Sequence, residues 1–237
     1  MAIRTISFVE QEYYHIYNRG NSKQVIFHDN EDYQRFREIL FILNSTRRFN
    51  IYDIKKQRIS IENIDREKLL VAIGAFCLMP NHFHILITPL MENGASKFMH
   101  KISTSYSKYY NQKYKRTGSL FEGKFKAEHI TNERYLKYIF SYIHLNPISL
   151  TEPRWKEHGI QDKKKVLNFL YYYIFSSYKD FSNPEHILIP VLNKEYFPNY
   201  FPTKQFFKKE IFSWIQYREA RRHDTESAFK IKKTGPL

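Results

Sequence analysis

The sequence predicts an α+β protein, in which an antiparallel sheet carries helices on one face and a helical extension follows at the C-terminus. The first observation is the order of the periodic segments in residues 1–150, which run strand, helix, strand, strand, helix, strand. This order is typical of split β-α-β units. The second is composition: of 237 residues, 42% are hydrophobic and 26% charged, which argues against wholesale disorder.

The first strand and the first helix have clear boundaries. The stretch "YYHIYNRG" at 13–20 alternates rings with polar groups and ends at Gly20, so it predicts a strand followed by a turn. Either Asp29 or Asn30 can cap the start of a helix. The apolar residues that follow at helical spacing, and therefore on one face, are Tyr33, Phe36, Ile39, Leu40 and Leu43.

Two segments with different patterns follow this helix. Residues 48–68 alternate weakly and are heavily charged, which predicts a strand or hairpin insertion. Residues 69–90 are rich in apolar side chains and are interrupted at "MPN". We therefore expect two successive strands, joined by a tight turn at Pro80 and Asn81.

Two more helices and one strand complete this part of the chain. A second helix is predicted at 95–110, and a short strand at 124–130. A third helix should start with Thr131 or Asn132 as its cap and end at Pro147, which cannot continue a helix. The buried row of the second helix is expected to be Phe98, Ile102, Tyr106 and Tyr109.

The chain changes character after residue 150, which predicts a domain at 1–150 and an extension at 151–237. Residues 151–165 have the composition of a linker, and residues 166–181 form an aromatic segment with helical spacing. Residues 203–237 carry nine basic and four acidic side chains. We therefore expect the extension to be helical, and its charge leaves DNA binding open as a role.

The chain as a whole is strongly basic and rich in aromatic rings. Lys and Arg number 38 against 24 Asp and Glu, which gives a formal net charge of +14, and aromatic residues make up 17%. Basic surface combined with many rings is expected of a protein that binds phosphates and stacks on bases. The alternative is that abundant Lys and Tyr merely reflect an AT-rich genome.

Cysteine and apolar content exclude several classes of protein. The only cysteine, Cys77, rules out an intrachain disulfide framework and a cysteine-based zinc cluster, which favours the cytoplasm. The N-terminus has no apolar signal region, and the longest apolar stretch, residues 69–79, is too short to span a bilayer. A cytoplasmic protein with no membrane partner is therefore expected.

The stretch "LMPNHFHILITP" places two histidines one residue apart in an apolar run. On a strand, His82 and His84 point to one side and Phe83 to the other, so the two rings can hold one cation. Neutral imidazoles suit Mn²⁺, Zn²⁺, or Mg²⁺ that has additional oxygen ligands. The alternative is a pair of half-exposed structural histidines.

The third helix offers a tyrosine stripe next to an apolar one. Tyr138, Tyr142 and Asn146 share one stripe. Such a stripe usually reflects packing, and the apolar residues that should bury against the sheet are Leu136, Ile139, Phe140 and Ile143. A phenol is a weak nucleophile at neutral pH, so attack on a phosphate by Tyr142 would need a nearby cation.

Four blocks of sequence resemble one known family. They are "YYHIYNRGNSKQVIF", "FCLMPNHFHIL", "YYNQKYKRTGSLFEGKFK" and "YIHLNPI", and they occur in the order and approximate spacing of the REP-associated tyrosine transposases. That family is a branch of the IS200-like, single-tyrosine HUH transposases. The resemblance covers about residues 13–150, and it implies a ferredoxin-like (RRM-like) sheet, as the periodicity does.

The resemblance also implies roles for individual residues. His82, His84 and Asn146 would be the metal ligands, with Mg²⁺ or Mn²⁺ as the cofactor. Tyr142 would be the nucleophile that takes a 5′-phosphate of single-stranded DNA, with Tyr138 as the second choice. The partner expected is single-stranded DNA from hairpin-containing element ends, bound by a monomer or homodimer of a bacterial, nucleoid-associated protein.

Candidate DNA-binding residues come from the basic segment 101–126 and the "NRG" turn. This segment has seven Lys or Arg and one Glu, interleaved with aromatic rings, although a solvated helix end and loop would look the same. The candidates are Arg19, Lys108, Lys113, Lys115, Arg116, Lys124 and Lys126. His15 lies two residues before Tyr17 on the first strand, and we do not expect it to be a metal ligand.

Two other functions remain open from the sequence. One is a non-catalytic nucleic-acid-binding protein on the same sheet, which would bind without metal and with strong salt dependence. The other is a metal-dependent hydrolase that uses water, which would cleave DNA without a covalent protein adduct.

Overall fold

The computed structural model describes residues 6–183 and 189–220. An antiparallel sheet lies at its centre and contains four strands in the order β2-β3-β1-β4. The strands are β1 (Tyr13–Arg19), β2 (Val71–Met79), β3 (His82–Pro89) and β4 (Lys126–Ile130). This is the strand order of a ferredoxin-like sheet, so the predicted α+β fold is confirmed.

Two helices cover one face of the sheet. They are α1 (Asn30–Ile42) and α3 (Gly94–Lys113), and between them in sequence lies the short helix α2 (Ile51–Lys56). Asp29 caps α1 by accepting a hydrogen bond from the Asp32 amide. All three helices contribute buried side chains to one apolar cluster with the sheet residues that point towards them. Helices α1 and α3 are the first two of the three long helices that the sequence predicts before residue 150.

The other face is covered by the third long helix and by the extension. Helix α4 (Glu133–Leu145) is capped by Asn132, and its predicted apolar stripe is buried against the sheet. The helices that follow are α5 (Ile148–Thr151), α6 (Trp155–His158), α7 (Lys163–Tyr172), α8 (Tyr178–Ser182) and α9 (Lys204–Ala220). The sheet is therefore enclosed on both sides, because β2 and β3 present apolar residues to both faces.

Strand β2 is buried along its whole length and contains a bulge. Opposite β3, the register passes from Ile73 paired with Ile87 to Ala75 paired with Leu86, so Gly74 is the additional residue. A Cβ atom at Gly74 would lie 2.8 Å from the ring of Phe197, which is closer than real contacts allow. Glycine at this bulge therefore lets the extension pack directly on the sheet.

The outer edge of β2 is covered by hydrogen bonds from other parts of the chain. The Leu78 amide donates to the Phe175 carbonyl, and the Ser177 amide donates to the Phe76 carbonyl, both at 2.9 Å. The Asn193 amide donates to the Ile73 carbonyl, also at 2.9 Å. The extension thereby supplies the partners that a fifth strand would otherwise supply.

Three segments differ from the sequence prediction. Residues 48–68 contain α2 and a 3₁₀ turn instead of a strand or hairpin, because Asn50 caps a helix whose Ile51 and Ile54 bury in the core. The expected linker contains α6, and β4 begins at Lys126 instead of residue 124. The sequence predicts a basic tail at 203–237, and residues 221–237 of it lie outside the part of the chain that the structure describes.

Among residues 6–183 and 189–220, no helix is long and apolar enough to cross a membrane.

Candidate active site

His82 and His84 lie on the same face of the sheet as α4. In the β1–β3 register, His84 pairs with Tyr17 and His82 pairs with Arg19. The two imidazole rings are 5.1 Å apart and perpendicular to each other. His84 is buried and His82 is half-buried. We call this side of the sheet the histidine face; α4 and the extension cover it.

The local environment fixes the protonation of His82. Its Nδ1 lies 2.6 Å from the side-chain oxygen of Asn81. Because that oxygen only accepts, Nδ1 carries the proton and Nε2 keeps a lone pair. Burial, together with the positive charges of Lys156 and Arg19, lowers the pKa of His82 to about 4. The ring is therefore neutral at physiological pH, the form that binds a metal ion.

His84 is held by a second histidine on the neighbouring strand. Its Nδ1 lies 2.9 Å from Nε2 of His15, and the two rings are stacked at 5.1 Å. Burial lowers the pKa of His84 well below its ordinary value, and the nearby His15, His82 and Lys156 lower it further. When Nδ1 of His84 donates in this bond, its Nε2 lone pair remains for a ligand. His15 thus has the position of a residue that orients a ligand.

Helix α4 brings Tyr142 to the histidines. The ring of Tyr142 meets the rings of His84 and His15 edge-on, with centroids 5.6 and 5.8 Å apart. Tyr138 lies one turn earlier, and its ring packs 4.7 Å from Trp214 of α9. Tyr142 is therefore the tyrosine of this stripe that the fold places beside the His-Phe-His segment.

Asn146 stands just after α4, and the hydrogen bond of its side chain leads back to that helix. Its side-chain nitrogen donates to the Tyr142 carbonyl at 2.8 Å, so its oxygen keeps its lone pairs. Asn146 is 9% exposed and lines a small cavity together with Tyr142 and Lys156. In the described part of the chain, no group of three or more His, Cys, Asp or Glu side chains is arranged to hold a metal ion.

The extension adds a charge that the sequence patterns did not indicate. The ammonium group of Lys156 lies 5.5 Å from the centroid of the Tyr142 ring. In the sequence this lysine stands in a stretch with the composition of a linker. No local periodicity marks it, because its position depends on how α6 packs against α4.

The candidate DNA-binding residues lie in three different parts of the structure. Arg19 and Lys126 lie on the histidine face, since Arg19 pairs with His82 and Lys126 pairs with Tyr17 in the sheet registers. Arg19 also forms an ion pair with Glu122 at the surface. Lys115, Arg116 and Lys124 follow α3 in the loop that leads to β4.

Two candidate DNA-binding residues, Lys108 and Lys113, belong to α3, which covers the face of the sheet opposite to the histidine face. Lys108 is exposed. The ammonium group of Lys113 contacts the carboxylates of Asp29, Glu31 and Asp32 at 2.8, 3.1 and 2.9 Å. The charge of Lys113 is therefore engaged with the start of α1.

The histidine in "YIHLNP" has a structural position. His144 is fully buried, and its Nε2 lies 2.7 Å from the Ser177 hydroxyl. That hydroxyl also accepts from the Phe76 amide at 2.9 Å. This network joins α4, β2 and the extension, so it fixes the helix that carries Tyr142.

The chain is similar to one protein family and to two solved structures. The family model described as "Transposase IS200 like" matches residues 54–146. Among solved structures, the chain is similar to a REP-associated tyrosine transposase bound to a REP hairpin. The two share 14% identity with a TM-score of 0.47, over 80% of this chain and 90% of that chain.

A second solved structure, from Deinococcus radiodurans R1, is described as a candidate transposase. It shares 15% identity with a TM-score of 0.34, over 60% of this chain and 95% of that chain. The comparison with curated proteins finds no match. The segment that matches the transposase family model, residues 54–146, carries both histidines, Tyr142 and Asn146.

Proposed function

We propose that this protein cleaves and rejoins single-stranded DNA through a 5′-phosphotyrosine at Tyr142, with a divalent cation, Mg²⁺ or Mn²⁺, as cofactor. The observation that carries the proposal is the perpendicular contact between the rings of Tyr142 and His84, whose centroids lie 5.6 Å apart. It joins a nucleophile on a helix to a pair of neutral imidazoles on a strand. These are the parts that phosphoryl transfer to tyrosine requires.

The side chains present fit a divalent cation. His82 and His84 would supply nitrogen ligands from one side of β3, and Asn146 would supply an oxygen ligand from the end of α4. Mixed nitrogen and oxygen ligands suit Mn²⁺, and they suit Mg²⁺ when water and phosphate oxygens complete the set. When bound, the cation would polarise the scissile phosphate and stabilise its charge in the transition state.

The chain's own residues perform the covalent step. A lone pair of Tyr142 Oη attacks phosphorus, and the bond from phosphorus to the 3′-oxygen breaks with its electron pair on that oxygen. Tyr142 loses one proton and the leaving 3′-oxygen gains one, so cleavage needs no further reactant. A second 3′-OH can reverse the step, releasing Tyr142 and rejoining DNA without ATP.

The DNA partner is expected to reach Tyr142 along the histidine face. Arg19 and Lys126 place positive charge on this face, and Tyr17 offers a half-buried ring for a base. Hairpin-containing element ends are the source of single-stranded DNA that the sequence resemblance implies.

One experiment tests the proposal against its rivals. Denatured, 3′-labelled fragments of the source genome are incubated with the protein and Mn²⁺, and the products are separated under denaturing conditions. We expect a labelled covalent adduct with the unaltered protein and with Tyr138→Phe, but none with Tyr142→Phe or after chelation of the metal. The 3′ label is chosen because the 5′-phosphate that joins the tyrosine belongs to the 3′ fragment.

The other outcomes are equally informative. Binding that is independent of metal, without cleavage, would identify a nucleic-acid-binding module and refute the proposal. Cleavage without an adduct would identify a hydrolase that uses water. An adduct that persists in Tyr142→Phe would move the nucleophile to another residue, and Tyr138 would be tested next.

A further inference from the structure

Lys156 stands at the candidate site although it lies outside the segment that matches the transposase family. It belongs to α6 in the extension and is exposed. Its neighbour Trp155 is buried in the apolar cluster of the extension, so α6 is anchored by that side chain. The ammonium group of Lys156 lies 5.5 Å from the Tyr142 ring centroid and 5.9 Å from the Trp155 ring centroid.

The same ammonium group lies near the end of α4. Lys156 and Tyr142 also line one small cavity with Asn146. The candidate nucleophile and one candidate ligand, Asn146, therefore share a cationic neighbour.

We infer that Lys156 is a second cation of the active site and contacts the phosphate that Tyr142 attacks, an inference that rests on the proposed function. A divalent cation at the histidines and an ammonium group at Tyr142 repel each other when no anion lies between them. A phosphodiester placed between them is attracted by both. Lys156 thus favours binding of a phosphate between the two cations. It also stabilises the negative charge that develops on that phosphate during transfer.

A matched control exists in the same extension. Lys163 also stands over an aromatic ring, with its ammonium group 5.9 Å from the centroid of Phe212. Lys163→Gln therefore removes a lysine with a similar local contact, but not the one beside Tyr142. The test compares Lys156→Gln, Lys156→Arg and Lys163→Gln in the full-length protein, after thermal melting has shown that each variant is folded.

The first measurement is Mn²⁺ affinity without DNA, by titration calorimetry. Removal of the repelling charge in Lys156→Gln should tighten Mn²⁺ binding by about threefold to tenfold. Lys156→Arg and Lys163→Gln should bind Mn²⁺ as the unaltered protein does. A merely structural role for Lys156 would weaken binding or leave it unchanged.

The second measurement is the rate of adduct formation in a single turnover. Lys156→Gln should slow it by about tenfold to a hundredfold, with Lys156→Arg between it and the unaltered protein. The inference requires both changes, so unchanged Mn²⁺ affinity or an unchanged rate in Lys156→Gln overturns it. If the unaltered protein forms no adduct, the proposed function fails; if it does and Lys156→Gln behaves as Lys163→Gln, only this inference fails.

Discussion

His15 Nε2 and His84 Nδ1 lie 2.9 Å apart across the neighbouring strands β1 and β3, although 69 positions separate them in sequence. A hydrogen bond of this kind fixes which nitrogen of a ligating imidazole carries the proton and how its ring is oriented. The His15 ring also lies nearly perpendicular to the Tyr142 ring, with the two centroids 5.8 Å apart. His15 therefore connects a candidate ligand to the candidate nucleophile.

Replacement of His15 by Phe should weaken metal binding while the fold is kept. Phe retains the ring contacts but cannot bond to His84, so Mn²⁺ affinity should fall by about tenfold to a hundredfold. Titration calorimetry measures this change. The control is His129→Phe: its ring stacks on Tyr14 at 4.9 Å, and its described polar contact is with Glu12. Equal affinities in the two variants would exclude an orienting role for His15.

Tyr142 should act on DNA held by the histidines of its own chain. The rings of Tyr142 and His84 that contact each other, with centroids 5.6 Å apart, belong to one chain. A mixture of Tyr142→Phe with His82→Ala protein should therefore form no covalent adduct, because neither chain has a complete site. Adduct recovery in the mixture, measured on a denaturing gel, would instead show that the tyrosine acts across a dimer.

The candidate DNA-binding lysines should differ according to their side of the sheet. Lys126 lies on the histidine face, whereas Lys108 lies on α3 against the opposite face. Lys126→Gln should weaken binding of a fluorescent mixed-sequence single strand and reduce the slope of log affinity against log salt by about 0.7. Lys108→Gln should leave the slope unchanged. Anisotropy titrations at several salt concentrations measure both, and equal slopes for the two variants would contradict this assignment.

Lys113 should stabilise the fold through Asp32, which is fully buried. Burial alone would raise the pKa of Asp32, but hydrogen bonds from Lys113, from the His28 amide and from Tyr114 and Tyr109 lower it below its ordinary value. A carboxyl group with a lowered pKa stabilises the fold above its unfolded pKa of about 3.9. The free energy of unfolding should therefore fall as pH decreases below about 4.

Asp32→Asn should show the size of this contribution. It removes the buried one of the three carboxylates that contact Lys113 and weakens the hydrogen bonds that converge on it, so the free energy of unfolding at neutral pH should decrease by about 2–4 kcal/mol. Its dependence on pH below about 4 should also become weaker. Urea titrations at several pH values measure both, with the exposed Asp53→Asn as control. Identical acid profiles for Asp32→Asn and the unaltered protein would refute the assignment.

Local signals in the sequence were sufficient for most of the fold. Asp29 and Asn132 cap helices by accepting hydrogen bonds from amides only three residues further along the chain. The turn at Pro80 and Asn81 is predicted because it interrupts an apolar run and so separates two strands. The structure of residues 48–68 was not predictable from such local signals. The six-residue helix there depends on burial of Ile51 and Ile54 in the core, which a short, charged stretch does not reveal.

The site was only partly accessible from the sequence, for a similar reason. Alternation on a strand places His82 and His84 together, and helical spacing places Tyr142 and Asn146 on one stripe. The position of His15 depends on how β1 pairs with β3, and that of Lys156 depends on how α6 packs near Tyr142. These are contacts between distant segments, which carry no periodic signature.

The cover over the outer edge of β2 has a consequence for the chain during its synthesis. β2 is a nine-residue strand of apolar side chains, and the groups that bond to its outer edge include Phe175, Ser177 and Asn193. Until those residues leave the ribosome, the edge is open to strand addition by another chain. A fragment of residues 1–150 should therefore aggregate, although it contains His82, His84, Tyr142 and Asn146. In this protein the extension protects the solubility of the segment that resembles a transposase.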